Sequence, residues 1–256
     1  MKTALITGAS SGIGLEFAHI FARKGHDLIL VARSKDKLED VARDCENKYD
    51  IHATILVFDL SKPTSALDLY NAVKQSGVTI DVLINNAGFG HYEPFTKSDY
   101  SQNTKMINLN VTTLVELTSL FVKDMVTRNQ GQILNVASTA AFQPVPNFAV
   151  YGATKAFVLS FTEALHYELK DTKISVSVLC PGPTTTGFEK VANMEKSRLF
   201  KGGGVMDART VAEIGYKGLQ KNKMTIIPGL KNKILATASN MTPSRDLLVW
   251  VAGKMS

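Results

Sequence analysis

Two tyrosines in the chain, Tyr151 and Tyr70, are each followed four residues later by a lysine, Lys155 and Lys74. On a helix this spacing puts tyrosine and lysine on one face. A tyrosine can protonate the alkoxide that develops when a carbonyl accepts a hydride, if a nearby cation brings its pKa, about 10 when unperturbed, toward neutrality. Only Tyr151 has a serine, Ser138, directly after a strand candidate upstream of it. We therefore predict that Tyr151, Lys155 and Ser138 form the catalytic group and that the other pair is a surface pair.

A glycine-rich segment near the N-terminus has the composition of a phosphate-binding loop. Its residues, Thr7-Gly8-Ala9-Ser10-Ser11-Gly12-Ile13-Gly14, lie between a strand candidate and a helix candidate. Glycines at this spacing let backbone N–H groups and the positive end of the helix dipole approach a pyrophosphate. The alternative is a tight turn without a ligand. The predicted cofactor contacts in this loop are Gly8, Ser10, Ser11, Gly12, Ile13 and Gly14.

The end of the second strand candidate indicates which dinucleotide would bind. An acidic residue there would bond the ribose hydroxyls and repel a 2′-phosphate, whereas an arginine would pair with that phosphate. The sequence at this point is Val31-Ala32-Arg33-Ser34. NADP(H) is therefore the predicted cofactor, with Arg33 as the phosphate ligand. Asp36, one turn further on, could weaken the preference, and Arg33 could instead be a solvated residue at a helix start.

Polar residues follow two further strand candidates, at the carboxyl edge where open α/β sheets bind ligands. Asp59 and Leu60 follow the third strand, where a carboxylate could accept a bond from an adenine amino group. Asn85-Asn86-Ala87-Gly88 follows the fourth, and Asn86, Ala87 and Gly88 are the predicted contacts. Asp59 could equally be a helix cap and Asn85 a turn residue.

The elements that must position these residues alternate in a βα rhythm, which is typical of a parallel sheet covered on both faces. We expect one Rossmann-type α/β domain over residues 1–256, with seven strands in the order 3-2-1-4-5-6-7. The strand candidates are Lys2–Thr7, Asp27–Val31, Ala53–Phe58, Val82–Ile84, Gln132–Ala137, Ile174–Leu179 and Met224–Ile227. The helix candidates are Gly12–Lys24, Lys35–Lys48, Thr64–Gln75, Tyr100–Thr127, Val150–Leu169 and Ala208–Gln220.

Taken together, the motifs resemble the short-chain dehydrogenase/reductase family, in its single-domain branch. They cover about the first 190 residues in the family's order, and the ones that carry the resemblance are Thr7-Gly8-x-x-x-Gly12-x-Gly14, Asn85-Asn86-Ala87-Gly88, Asn110, Ser138, Tyr151-x-x-x-Lys155 and Pro181-Gly182. The resemblance implies hydride transfer between nicotinamide and a carbonyl or secondary alcohol.

The resemblance also implies a role for each matching residue. Tyr151 would be the general acid/base, Lys155 would lower its pKa and hold the nicotinamide ribose, and Ser138 would orient the substrate oxygen. Asn110 would anchor a water that links Lys155 to solvent, with Asn108 as a competitor for that role. The segment after the sixth strand would bind the nicotinamide carboxamide, through Pro181, Gly182, Thr184 and Thr186.

Further expectations concern the substrate lid, the assembly and the C-terminal extension. The resemblance implies a lid at about 184–204 and a homodimer or homotetramer formed through the helices at 100–127 and 150–169. In the extension, about 229–256, the apolar stripe of Leu230, Ile234, Ala238 and Met241 is expected to pack on the core or on a partner. Residues 217–256 also hold seven basic residues against the single acid Asp246, which predicts either a solvated face or a docking surface for something anionic.

Bulk properties exclude several other classes of protein. No apolar run approaches the roughly 20 residues that span a bilayer, and the glycine loop begins too early for a cleavable signal peptide, so we expect a cytoplasmic protein without a transmembrane segment. The two cysteines and five histidines show no metal-ligand spacing, so no metal is expected. The predicted partner is a small carbonyl or alcohol substrate, not a nucleic acid.

Two alternatives to this oxidoreductase stay open. One is a non-catalytic NADP-binding sensor or scaffold, which retention of Ser138, Tyr151 and Lys155 argues against. The other is a reductase of acyl substrates borne on a carrier protein, with the basic C-terminal segment as docking surface. Candidate pocket residues indicate a partly apolar pocket without identifying the substrate; these are Phe89, His91, Phe142, Phe188 and Met194.

Overall fold

A seven-stranded parallel sheet forms the centre of the computed structural model, which describes residues 1–192, 205–242 and 244–255. Its strand order is β3-β2-β1-β4-β5-β6-β9, and a separate two-stranded sheet pairs β7 with β8. This confirms the predicted order, with β9 as the seventh strand. The strands are β1 (Lys2–Thr7), β2 (His26–Ala32), β3 (Ala53–Val57), β4 (Val82–Asn85), β5 (Gly131–Val136), β6 (Ile174–Leu179), β7 (Thr184–Thr185), β8 (Met206–Asp207) and β9 (Thr225–Ile226).

Helices cover both faces of the sheet, because successive residues of each buried strand point to opposite sides and are apolar on both. On β1, Ile6 packs among residues of α1, α2 and α8, whereas Leu5 packs among residues of α3 and α5. The helices are α1 (Gly12–Arg23), α2 (Lys35–Tyr49), α3 (Ser65–Gln75), α4 (Tyr100–Ile107), α5 (Leu114–Arg128), α6 (Ala149–Glu168), α7 (Phe188–Val191), α8 (Ala208–Gln220), α9 (Leu230–Met241) and α10 (Arg245–Met255).

The long helix predicted over Tyr100–Thr127 is interrupted. Between α4 and α5 the chain forms a π-helical turn, Asn108–Thr113, with wider i→i+5 bonding. Apolar periodicity does not reveal such a turn, since it adds one residue to the helix without ending it. Asn110 lies within this turn and is buried.

A chain of buried amides fixes α6 against the sheet. The Asn85 amide donates to Asn135 Oδ1 at 2.9 Å, and the Asn135 amide donates to Thr162 Oγ1 of α6 at 3.0 Å. Asn85, predicted as a cleft or a turn residue, instead ends β4 and belongs to this network, which joins β4, β5 and α6. The network holds in place the helix that carries Tyr151 and Lys155.

The C-terminal extension forms α9 and α10. Of the two expected positions for the apolar stripe of α9, on the core or on a partner, the structure excludes the core. Asn232 and Ala236 face inward and are buried, whereas Leu230 and Met241 are 75% and 76% exposed. Most of the predicted lid, residues 193–204, lies outside the described residues. In the described part of the chain, no helix combines the length and the hydropathy needed to cross a membrane.

Candidate active site

A cleft of about 1270 Å³ runs along the carboxyl edge of the sheet. The loops after β1 to β6 form its walls, as expected for an open α/β sheet. Every predicted site residue lines the cleft except Gly14 and Asn110. These two lie behind its wall, Gly14 against the Gly8 carbonyl and Asn110 against the backbone of Phe89.

The glycine loop takes a conformation that only glycine accommodates easily. Gly8 and Gly12 have φ angles of 68° and 56°, in the left-handed region. A Cβ on Gly14 would lie 2.2 Å from the Gly8 carbonyl oxygen, so this glycine allows α1 to begin directly beneath the loop. The N-terminus of α1 therefore faces the cleft behind a loop without bulky side chains, which fits the pyrophosphate of a dinucleotide.

Hydrogen bonds tie the glycine loop to the loop after β4. Thr7 Oγ1 accepts bonds from the backbone N–H groups of Asn86 and Ala87, both at 3.0 Å. The Asn86 amide in turn donates to the carbonyl oxygens of Thr7 and Gly8 at 3.0 and 3.3 Å. Asn86 thus fixes the two loops that face the middle of the cleft.

Cationic and acidic groups meet at the end of the cleft formed by β2 and β3. Arg33 and Lys37 line it together with Asp59 and Leu60. A hydrogen bond from Ser61, reinforced by the charge of Arg33, lowers the pKa of Asp59. Asp59 accepts two bonds from Ser61, to its N–H at 3.1 Å and its hydroxyl at 2.7 Å, so it stabilises its own turn while its carboxylate faces the cleft.

Ser138 and Tyr151 meet at the opposite end. The Ser138 hydroxyl accepts the Ala140 N–H at 3.1 Å, which holds the serine just after β5. The Tyr151 ring stacks on Phe148 with centroids 4.2 Å apart and is buried. Burial raises the pKa of Tyr151 to about 12, while the nearby Ser138 hydroxyl opposes that rise. In this state the tyrosine is a neutral proton donor.

Lys155 lies one turn further along α6, with its ammonium 5.7 Å from the centre of the Tyr151 ring. It donates a bond to the Val136 carbonyl oxygen at 2.8 Å. Burial lowers the pKa of Lys155 to about 8, so it still carries its charge at neutral pH. A cation is therefore fixed beside the tyrosine at the end of β5.

The Asn110 amide clamps the loop that separates it from Lys155. Its Oδ1 accepts the Phe89 N–H at 3.1 Å, and its Nδ2 donates to the Phe89 carbonyl at 2.9 Å and to Thr154 at 3.1 Å. A Cβ on Gly88 would lie 3.0 Å from Asn110 Oδ1 and 3.4 Å from Lys155 Nζ. Gly88 therefore separates the two groups, whereas Asn108, the competing candidate, is only half-buried.

The segment after β6 crosses the cleft toward the glycine loop. The Pro181 carbonyl accepts the Thr139 N–H at 2.8 Å, and Thr184 Oγ1 donates to the Gly182 carbonyl at 2.9 Å. A Cβ on Gly12 would lie 2.8 Å from the Cβ of Thr186, so these two residues are packed closely. The segment therefore reaches from the Ser138 loop to the N-terminus of α1.

Helices α9 and α10 form a wall of the cleft that sequence motifs do not predict. The α9 residues Lys231, Asn232, Leu235, Ala236 and Ser239 and the α10 residue Ala252 line it. The side chain of Asn232 packs on Gly182, where a Cβ would lie 2.5 Å from its Nδ2. The only signal in the sequence is the pair of small inward residues, Asn232 and Ala236, opposite an apolar stripe.

Among the suggested pocket residues, Phe89, Phe142 and Phe188 line the cleft, His91 pairs with Glu93 at 2.8 Å, and Met194 lies outside the described residues.

Comparisons with known proteins agree with this geometry. The short chain dehydrogenase family model matches residues 2–197. The very-long-chain 3-oxoacyl-CoA reductase of Rattus norvegicus is 36% identical over 204 residues, which are 77% of this chain and 63% of that protein. The 17-beta-hydroxysteroid dehydrogenase type 3 of Mus musculus is 33% identical over 76% of this chain and 64% of its own length. This chain thus spans a little under two thirds of these relatives.

Solved structures match nearly the whole chain. A short-chain dehydrogenase from Sphingobium yanoikuyae in complex with NADPH superposes with a TM-score of 0.85 at 32% identity, covering 94% of each chain. The bulky-bulky ketone specific alcohol dehydrogenase from Comamonas testosteroni gives a TM-score of 0.80 at 28% identity, over 96% of this chain and 95% of that one. With its dinucleotide cleft and matching sequence, this chain belongs to the short-chain dehydrogenase/reductase family of nicotinamide-dependent oxidoreductases.

Proposed function

We propose that the protein is an NADP(H)-dependent oxidoreductase that interconverts a carbonyl and a secondary alcohol, with Tyr151 as the general acid/base. One observation carries the proposal. A single cleft holds Arg33 at one end, the glycine loop in the middle, and Ser138, Tyr151 and Lys155 at the other end. This order matches the phosphate, pyrophosphate and nicotinamide parts of NADP(H).

The preference for NADP(H) rests on charge. Strand β2 ends at Ala32 with no carboxylate, and Arg33, Ser34 and Lys37 follow it along the cleft wall. A guanidinium can bind a 2′-phosphate with two hydrogen bonds, and Lys37 adds a second positive charge. The complex of the Sphingobium relative with NADPH supports this assignment.

The protein's own part in the reaction is to place the substrate oxygen and move a proton. When bound, NADP(H) would supply the hydride for reduction or accept it in oxidation. Ser138 and the Tyr151 hydroxyl hydrogen-bond the substrate oxygen, and Tyr151 donates its proton as the alkoxide forms. The Lys155 charge, 5.7 Å from the centre of the Tyr151 ring, favours the tyrosinate that is left. Asn110 holds the Gly88–Phe89 backbone next to Lys155, where a water could relay the returning proton.

The substrate that fits this end of the cleft is bulky and apolar. Aromatic and aliphatic side chains line the cleft around Tyr151, including Phe89, Phe142, Val145, Phe148 and Phe188. The relatives are named for compounds with large apolar bodies, a very-long-chain 3-oxoacyl-CoA and a 17-beta-hydroxysteroid. We therefore propose a ketone with a long or wide apolar body.

Assembly and location are further parts of the proposal. The exposed apolar residues Ile107 and Val126, on α4 and α5, and Phe157 of α6 are in keeping with a homodimer or homotetramer formed through these helices. Cys45 and Cys180 are free and buried, as is usual in a reducing compartment, which supports the cytoplasm as the location.

The experiment that tests the function is a titration of the purified protein with NADPH and NADH, followed by nicotinamide fluorescence. Assays with ketones, diketones, steroids and 3-oxoacyl thioesters would then use the tighter cofactor. We expect tighter binding of NADPH and turnover of bulky apolar ketones. Binding without turnover of any carbonyl would favour a non-catalytic sensor, and failure to bind either dinucleotide would overturn the proposal.

A further inference from the structure

The outer faces of α9 and α10 are apolar, although nothing in the described part of the chain covers them. Helix α9 turns its small and polar residues, Asn232 and Ala236, toward the core. It turns its large apolar residues outward, at the i, i+4 and i+11 positions of one helical stripe. The exposed large apolar residues of the two helices are Leu230, Ile234, Leu235, Met241, Leu247, Val249, Trp250 and Val251. An amphipathic helix in this orientation indicates an apolar environment on its outer side.

Positive charge accompanies these apolar residues. Residues 230–255 hold Lys231, Lys233, Arg245 and Lys254, and Asp246 is the only acid among them. The remaining basic residues of the C-terminal segment, Lys217, Lys221 and Lys223, belong to α8 and the turn that follows it. Lysine and arginine side chains combined with exposed leucine, isoleucine and tryptophan are the composition of helices that lie in the interface of an anionic membrane.

Trp250 is the side chain that fits such an interface best. It is the only tryptophan of the protein, and it is 59% exposed. The Lys254 ammonium lies 4.1 Å from the centre of its ring, so an apolar ring and a cation occupy the same spot on α10. Tryptophan is enriched at the headgroup level of membranes because its ring is amphipathic.

The same two helices form a wall of the substrate cleft. Lys231, Leu235 and Ser239 of α9 and Ala252 of α10 line the cleft from within. Leu235 also remains 43% exposed, so it lies both in the cleft wall and on the outer surface. The apolar surface is therefore continuous with the mouth of the cleft.

We propose that α9 and α10 dock the protein on an anionic phospholipid surface, with the mouth of the substrate cleft facing the lipid. An apolar substrate could then enter from the bilayer without crossing water. A second copy of the chain is a poorer occupant, because a two-fold contact through these helices would bring the cations of both copies together. An anionic lipid surface neutralises them instead. The docking itself does not depend on the proposed reaction.

The test is binding of the full chain to unilamellar vesicles of phosphatidylcholine, with or without about 30% phosphatidylserine. Pelleting with the vesicles measures binding, and the emission of Trp250 reports directly on this surface. We expect the wild type to pellet with the anionic vesicles, its emission to move to the blue, and ~0.5 M salt to release much of it by screening. Phosphatidylcholine alone should bind less.

A double variant and a matched control distinguish the role of this surface from the effect of adding a carboxylate anywhere on the protein. Ile234→Glu with Leu247→Glu places one carboxylate on each helix, and neither side chain lines the cleft. We expect vesicle binding to weaken about tenfold for each side chain, since each loses its apolar burial. The control is Leu67→Glu on α3, because Leu67 and Leu247 are both 49% exposed. It should bind vesicles like the wild type.

The outcomes are distinct. Circular dichroism and NADPH binding would show that the variants are folded, and turnover of a water-soluble ketone would be unchanged. The proposal is overturned if the wild type does not bind anionic vesicles at low salt, or if the double variant binds them as well as the wild type. It is also overturned if light scattering shows a dimer for the wild type and a monomer for the double variant, and the wild type does not bind vesicles. The helices of two copies would then cover each other in the dimer.

Discussion

Two tyrosine–lysine pairs in this protein share the same spacing and nearly the same local geometry. The ammonium of Lys74 lies 5.8 Å from the centre of the Tyr70 ring, and that of Lys155 lies 5.7 Å from the centre of the Tyr151 ring. Each pair lies on one face of a helix, α3 or α6. The geometry within a pair therefore does not distinguish them, and any difference in chemistry comes from what surrounds them.

Their surroundings differ in charge and burial. The Tyr70 hydroxyl and the Lys74 ammonium both bind the Asp124 carboxylate, at 3.1 and 3.2 Å, and Lys74 is half-exposed. Tyr151 and Lys155 are buried, the Ser138 hydroxyl opposes the rise of the Tyr151 pKa, and Lys155 is bound to a backbone carbonyl. The first pair is neutralised by a carboxylate at the surface, whereas the second keeps its charge inside the cleft. A buried, incompletely neutralised cation is the feature that suits proton transfer.

Removing the hydroxyl group from each tyrosine should give the largest difference between the two pairs. We expect Tyr151→Phe to lower kcat/KM about 1000-fold, because general acid catalysis contributes on the order of 10²–10⁴ in rate. Tyr70→Phe should leave kcat/KM within about twofold of the wild type. Ketone-dependent oxidation of NADPH measures both, and NADPH binding should be intact in each. Comparable losses in the two variants would remove the distinction between the pairs.

The lysines should differ nearly as strongly. Lys155→Met is expected to lower kcat about 100-fold, because it removes the cation that favours the tyrosinate. Lys74→Met, which removes a surface contact with Asp124, should change kcat less than twofold. Steady-state kinetics at saturating NADPH would show the difference. Full activity of Lys155→Met would exclude Lys155 from the proton transfer.

The stability of the protein at alkaline pH tests whether burial lowers the pKa of Lys155. The pKa of Lys155 falls from 10.5 to about 8 on burial, which corresponds to a penalty of about 3 kcal/mol at pH values below 8. The folded protein loses this proton first, so the penalty disappears as pH rises from about 8 to the unfolded pKa. Over this pH range, the free energy of unfolding of the wild type, measured with urea, should therefore rise by about 3 kcal/mol relative to that of Lys155→Met. A pH-independent difference would mean that burial does not perturb Lys155.

At the other end of the cleft, Arg33→Asp should reverse the cofactor preference. Loss of a charged hydrogen bond costs about 1.5–3 kcal/mol, so we expect KM for NADPH to rise about 10- to 100-fold while KM for NADH changes little. Arg43→Asp is the matched control, because Arg43 is an exposed arginine of α2 that pairs with Asp40. Unchanged selectivity in Arg33→Asp would place the phosphate elsewhere, with Lys37 as the next candidate.

The smallest effect is expected from the amides of the π-helical turn. Asn110→Ala leaves the N–H and C=O of Phe89 without their partner, which should cost about 1–3 kcal/mol of unfolding free energy and about tenfold in kcat. Asn108→Ala should cost less than about 0.5 kcal/mol. Thermal unfolding and steady-state rates test both. Equal losses would mean that the competing asparagine serves the site as well.

The sheet was predictable because its order follows from short apolar runs that alternate with helices. The glycine loop was predictable because its backbone conformation requires particular residue types at fixed positions, as Gly8, Gly12 and Gly14 show. The role of Asn85 was not predictable. Its position in the sequence is compatible with the cleft, whereas its amide donates a hydrogen bond to Asn135 in the core.

The wall formed by α9 and α10 could not be predicted from the sequence, for a different reason. More than 70 residues separate it from Tyr151, and it meets the site through shape, as in the contact of Asn232 with Gly182. Periodicity identifies the apolar stripe of α9 correctly but does not decide whether it packs on the core or on a partner. The stripe is exposed because the two small inward residues allow α9 to lie close against the cleft.

The π-helical turn at Asn108–Thr113 also has a consequence for insertions and deletions. A π turn amounts to one residue inserted into an α-helix, and each residue of an α-helix turns the chain by about 100°. The wider winding of the π turn absorbs this extra residue, so deleting a single residue here would restore regular α-helical winding and leave α5 in its orientation relative to α4. Leu117, Phe121 and Met125 would stay buried against the sheet, whereas Asn110 would lose the position that the turn gives it. A one-residue gap at this point in an alignment of relatives would therefore mark loss of the π turn without a change in the packing of α5.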